Sequence, residues 1–129
     1  MRNDLAAIAA RVAPHAYVLI GPARWPDTMY AAVEPMRPFV QLQAALAAAF
    51  PTFPIYGRDA RFEFVPHVTV AEGAAVDDPA TLADPGWRAL PRRAWASGVE
   101  VIAAGDDGRW HTVWRISFGG MRRRESGRR

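Results

Sequence analysis

Apolar residues fall into alternating helical and strand periods along this chain. Leu5, Ile8 and Val12 recur at helical spacing behind Asn3 and Asp4, which can cap a helix, and Pro14 ends the pattern. Tyr17 to Ile20 then reads as a strand closed by Gly21-Pro22, and Met29 to Val33 as its partner across a long hairpin. After Pro35, the residues Phe39, Leu42, Leu46 and Phe50 make a helical stripe in an Ala-rich background, which Pro51 and Pro54 terminate. The segment Arg61 to Ala71 alternates as a strand does. Thr81 to Arg93 reads as helical in part, with Pro85-Gly86 as an interruption.

Two more strands close the pattern, Gly98 to Ala104 and Arg109 to Phe118, joined by the turn signal Gly105-Asp106-Asp107-Gly108. A period of two puts Trp110, Thr112, Trp114, Ile116 and Phe118 on one face of the last strand, and His111, Val113, Arg115 and Ser117 on the other. Trp110 and Trp114 are therefore core candidates, and the other three Trp follow by size and apolarity. The order helix, two strands, helix, strand, helix, two strands predicts an α+β fold with mostly antiparallel sheet.

With 129 residues, half of them hydrophobic, the chain fits one domain with a modest core. Its boundary is expected at 1–121, followed by a disordered Arg-rich tail at 122–129. That tail changes the meaning of the sequence pI near 10.2. It holds five of the sixteen basic residues, all Arg, and one of the thirteen acidic ones. Eleven against twelve are left in residues 1–121, a formal net charge of −1. The body is not basic, so composition alone does not call for a nucleic-acid partner.

There is no cysteine, which excludes disulfides, thiolate zinc sites and a cysteine nucleophile. The N-terminus lacks the unbroken apolar core of a signal peptide, no apolar run approaches membrane-spanning length, and a cytoplasmic location is expected with no membrane partner.

The chemistry concentrates in the Arg61 to Ala71 strand. One set of alternate positions holds Phe62, Phe64, Val68 and Val70; the other holds Arg61, Glu63, His67 and Thr69, with Val65 as its only apolar member. A histidine and a threonine two apart thus project to the same side of one strand. An imidazole exchanges protons near neutral pH and a hydroxyl can donate to a phosphate oxygen, a pairing that phosphoryl chemistry can use without a metal. Taken alone, such a pair on a half-exposed sheet face is more often simply solvated.

The surrounding residues add to it. Ala49 to Gly57, followed by Phe64-Val65-Pro66-His67-Val68-Thr69-Val70-Ala71, resembles the stretch around the second His-x-Thr motif of 2'-5' RNA ligase-like proteins, which belong to the two-histidine phosphoesterases. The similarity runs over roughly residues 5 to 120. It implies a bilobal fold whose two antiparallel sheets face each other across a cleft, each lobe giving one His-x-Thr. It also implies a metal-independent phosphodiesterase with no cofactor, acting on RNA ends or small cyclic nucleotides. His67 would be acid or base and Thr69 the hydrogen-bond donor to the phosphate. Tyr56 and Arg61 are candidate substrate contacts through stacking or phosphate pairing, and His111 and Arg115 join them if their strand face looks into the cleft.

One departure limits this reading. His15 is followed by Ala16-Tyr17 and His111 by Thr112-Val113, so His67 carries the only His-x-Thr. One imidazole cannot be both base and acid in a single concerted displacement. Three accounts stand open: a longer chain that supplies the first motif upstream, a homodimer that brings a second His67 in trans, or a remnant that binds phosphate or RNA ends without turnover.

Overall fold

The computed structural model describes residues 1–53 and 64–119. Tyr56, Arg61, Glu63 and the 122–129 tail lie outside the described residues. The predicted α+β class with mostly antiparallel sheet is what the chain forms. Helix α1 spans Arg2–Ala10, strand β1 His15–Trp25, β2 Thr28–Glu34, helix α2 Arg37–Ala49 and β3 His67–Glu72. A 3-10 turn at Gly73–Asp77, a one-turn helix at Pro79–Leu82 and a second 3-10 turn at Pro85–Ala89 follow. Strands β4 (Arg92–Ala96), β5 (Gly98–Ala104) and β6 (Trp110–Ser117) complete the described chain.

Among the described residues, β3-β2-β1-β4 make a fully antiparallel four-stranded sheet, and β5-β6 a separate hairpin. Several expectations are corrected here. Asn3 and Asp4 lie inside the first turn of α1 rather than capping it, with Met1 in the cap position and Asp4 favourably placed near the positive end of the helix. Gly21-Pro22 does not close β1 but sits within it, where the register to β2 shifts between Ile20 and Ala23. A proline has no N–H to give a ladder, and a bulge is where a strand tolerates that loss. The strand therefore continues to Trp25, and the expected long hairpin is a tight one over Pro26 and Asp27.

The region read as helical between Thr81 and Arg93 yields only short turns and then β4. Asp78 and Asp84 each accept a bond from the backbone N–H two residues on, that of Ala80 and of Gly86, starting a turn that Pro79 and Pro85 allow but nothing extends. Arg92 and Arg93 then pair with Leu19 and Val18. The strand expected from Arg61 begins, within the described residues, at His67.

The sheet's two faces differ. Met29, Ala31 and Val33 are buried on one of them, together with Ala96. On this face Ala9, Ala96 and Phe118 form a cluster against which Val12, Tyr17, Phe39, Leu42, Val99 and Ile116 pack. Helices α1 and α2 and the base of the β5-β6 hairpin therefore all meet there. His15 belongs to the same joint, edge-on to Phe39 with ring centroids 5.1 Å apart, its Nδ1–H donating to the Ala13 carbonyl at 3.0 Å and its Nε2 buried without a partner. It is structural.

Candidate functional site

The opposite face carries the His-x-Thr pair. In the antiparallel ladder Ala32 stands opposite His67 and Tyr30 opposite Thr69, and residues directly opposite share a face. Carried across the sheet, the same rule puts Ile20 beside Ala32, Val18 between Glu34 and Arg93, and Ala16 beside Trp95. The bulge at Gly21-Pro22 adds one residue to β1, and so returns Ala23 and Trp25 to this face.

That register builds an aromatic corner around His67. Trp25 stacks on Tyr30 with ring centroids 4.0 Å apart at 28°, and both rings meet the imidazole edge to face, Trp25 at 4.8 Å and 84°, Tyr30 at 5.6 Å and 69°. Tyr30 is buried beneath this stack, and His67 and Trp25 are half-buried. The Nδ1 of His67 lies 2.7 Å from the Val65 carbonyl. A carbonyl can only accept, so Nδ1 carries the proton and Nε2 of the neutral ring holds the lone pair. A ring fixed by one bond and two aromatic neighbours presents one nitrogen for proton exchange, two residues from the exposed Thr69 hydroxyl on the same face.

Neither Trp25 nor Tyr30 is marked in the sequence by a motif. Forty-two positions separate Trp25 from His67, and only the ladder register joins them.

Of the expected apolar face of the His67 strand, Phe62 lies outside the described residues, Phe64 is half-buried, and the two valines are exposed. Val68 and Val70 are 45% and 52% exposed, because β3 is an edge strand of the described sheet and Val70 is the extra residue where the register shifts between Met29 and Tyr30.

The other candidates lie on the hairpin. A bulge between Val101 and Ile102 puts Trp114 opposite Val101 but Thr112 opposite Ile102, so the alternation of β6 reverses. His111, opposite Ala103, and Arg115, opposite Glu100, consequently point to different faces rather than one. Trp110 and Trp114 are likewise separated. Trp114 turns towards α1, with the Arg2 guanidinium 5.9 Å over its ring, while Trp110 is 69% exposed and is no core residue. Trp95, expected in the core by its size, is 63% exposed.

Arg115 pairs with Glu100 at 2.9 Å, and His111 Nε2 lies 2.9 Å from Asp107 in the turn. Asp107 also accepts from the Arg109 backbone N–H at 3.0 Å. The bond from His111 and then that from Arg109 hold the Asp107 carboxyl below the usual carboxylate range. The hairpin joins the sheet on the face opposite His67, so no described contact brings His111 or Arg115 to it.

Among the described residues no cluster of three His, Asp or Glu could hold a metal ion, and no helix is long and apolar enough to cross a membrane.

Comparison with known proteins gives a family and a fold. The profile of the 2'-5' RNA ligase superfamily matches residues 1–107. Among solved structures, TT0787 of Thermus thermophilus superposes with a TM-score of 0.51 at 15% identity, covering 91% of this chain and 69% of that one. At that identity the likeness concerns the fold alone. No curated protein sequence matches.

Proposed function

The chain belongs to the 2'-5' RNA ligase superfamily, and from that premise we propose that it is a two-histidine-type phosphodiesterase acting on RNA ends or small cyclic nucleotides, with His67 and Thr69 at its centre. The observation that carries this reading is the 2.7 Å contact of His67 Nδ1 with the Val65 carbonyl. With Nδ1–H held by the Val65 carbonyl, Nε2 is the nitrogen left to take a proton from an attacking water or ribose hydroxyl, or to return one to the departing oxygen. The Thr69 hydroxyl, on the same face, would donate to a non-bridging phosphate oxygen and stabilise charge as the new P–O bond forms.

His67 performs one of the two proton transfers at a time. The second needs another group, and neither His15, enclosed with its Nε2 buried, nor His111, bound to Asp107, stands beside His67. A second copy of the chain bringing its own His67 would complete the pair, and sedimentation of the 129-residue chain reads whether such a dimer forms. Because the sequence has only one His-x-Thr, a second reading is kept: a module that binds a terminal or cyclic phosphate without turning it over.

Hydrolysis of a 2',3'-cyclic nucleotide in the presence of a chelator tests the proposal. His67→Ala is expected to lower kcat by about 100-fold or more, and Thr69→Ala by about tenfold. Binding that is saturable and lost in Thr69→Ala, with no product from the unaltered chain, selects the second reading.

A further inference from the structure

The His67 face carries two further residues of the kind that hold single-stranded RNA. Arg93 and Trp95, two apart on β4, stand opposite Val18 and Ala16, on the face that the register assigns to His67 and Thr69. Arg93 is exposed, and Trp95 is 63% exposed. Between these residues and His67 lie the half-buried Ala32, Ile20 and Val18. The floor is therefore apolar and low, with a phosphate-directed pair at one edge of the sheet and a cation with an indole at the other. Glu34 shares the face on the far side of Val18 from Arg93 and gives it one repulsive border for an anionic chain.

From strand spacings of about 4.8 Å and a rise of about 3.3 Å per residue, His67 stands roughly 15 to 20 Å from Arg93 and Trp95. A terminal mononucleotide seated at His67 cannot span that distance, but an oligonucleotide of a few residues can. We propose that this face is an extended RNA subsite: Arg93 takes a backbone phosphate and Trp95 stacks a base, a few nucleotides from the terminal phosphate at His67. The occupant is a single-stranded RNA end, because a solvent-facing indole gives stacking to any unpaired base and a neighbouring guanidinium neutralises the phosphate beside it.

This deepens the proposed function and rests on its placement of the phosphate at His67. The experiment separates the two by using a ligand that needs no chemistry. Binding of a fluorescein-labelled oligouridine pentanucleotide ending in a 3'-phosphate is followed by polarisation at low salt, with uridine 3'-monophosphate as the short competitor. Trp95→Ala is expected to weaken pentanucleotide binding by about tenfold or more, and Trp95→Phe to retain most of it. Arg93→Ala should weaken binding and reduce its salt dependence by about one phosphate contact. The inhibition constant of the mononucleotide, corrected for the affinity of the labelled oligonucleotide, should be the same in all these variants.

Equal pentanucleotide binding in the unaltered chain and both alanine variants overturns the subsite, as does failure of the unaltered chain to bind the pentanucleotide. If binding depends on Trp95 and Arg93 while no cyclic phosphate is hydrolysed, the subsite stands and the catalytic reading falls. Loss of mononucleotide competition in the β4 variants would also overturn it, since it would place the terminal phosphate at β4.

Discussion

His67 donates from Nδ1 to the carbonyl of Val65 two residues before it, at 2.7 Å, while the Trp25 indole stands 4.8 Å away at 84° to its ring. The first contact selects the nitrogen and the second limits ring rotation. Nitrogen-15 NMR of the neutral imidazole should find the proton on Nδ1, and an Nε2–H form would sink the assignment. In Trp25→Ala the two tautomers should mix. Loss of the half-buried indole should also cost about 2 kcal/mol of unfolding free energy in urea, of which Trp25→Phe recovers the larger part.

Met29 is 1% exposed on the packed face of the sheet, whereas Val68, on the same face of the edge strand, is 45% exposed. Met29→Ala should therefore destabilise the fold by about 3 kcal/mol and Val68→Ala by about 0.5 kcal/mol. Denaturation midpoints of the two variants read the difference. Equal losses would mean that Val68 is covered as deeply as Met29.

Asp107 supplies a pH dependence. Its carboxyl is held below the usual range first by the His111 bond and then by the Arg109 N–H. A group whose folded value is depressed stabilises the fold above its unfolded value and loses that contribution as pH falls through the folded one. The turn should therefore keep its bridge on the acid side until below the ordinary carboxylate range. Carboxyl carbon-13 NMR should report the low midpoint, and His111→Ala should move it upward. An unmoved midpoint would assign the shift to the backbone alone.

The hairpin shows where local pattern stops being enough. Its turn was legible, since Gly105 to Gly108 closes with the Gly105 N–H to Arg109 carbonyl bond at 2.8 Å and Gly108 takes a positive φ of 73°. Its faces were not. One extra residue in β6 reverses the alternation, and nothing in Thr112-Val113-Trp114 marks that insertion. Gly21-Pro22 shows the opposite case: a strong stop signal locally, it is absorbed as a bulge because β2 pairs with β1 both before it, through Ile20, and after it, from Ala23.

The sequence by itself determined the α+β class, the helical stripe of α2, the turn of the last hairpin, and the strand on which His67 and Thr69 share a side. Each follows from periods of a few residues, or from turn chemistry that a glycine or proline enforces where it stands. Only the tertiary structure decided that Trp25 and Tyr30 enclose His67, that Arg93 and Trp95 lie on its face, and that His111 and Arg115 part company. Those relations depend on strand register and on bulges. A single inserted residue there reverses a face, and the free energy that selects the register comes from non-local packing, such as that of Tyr17 and Ala96 against Ala9, Phe39, Leu42 and Phe118.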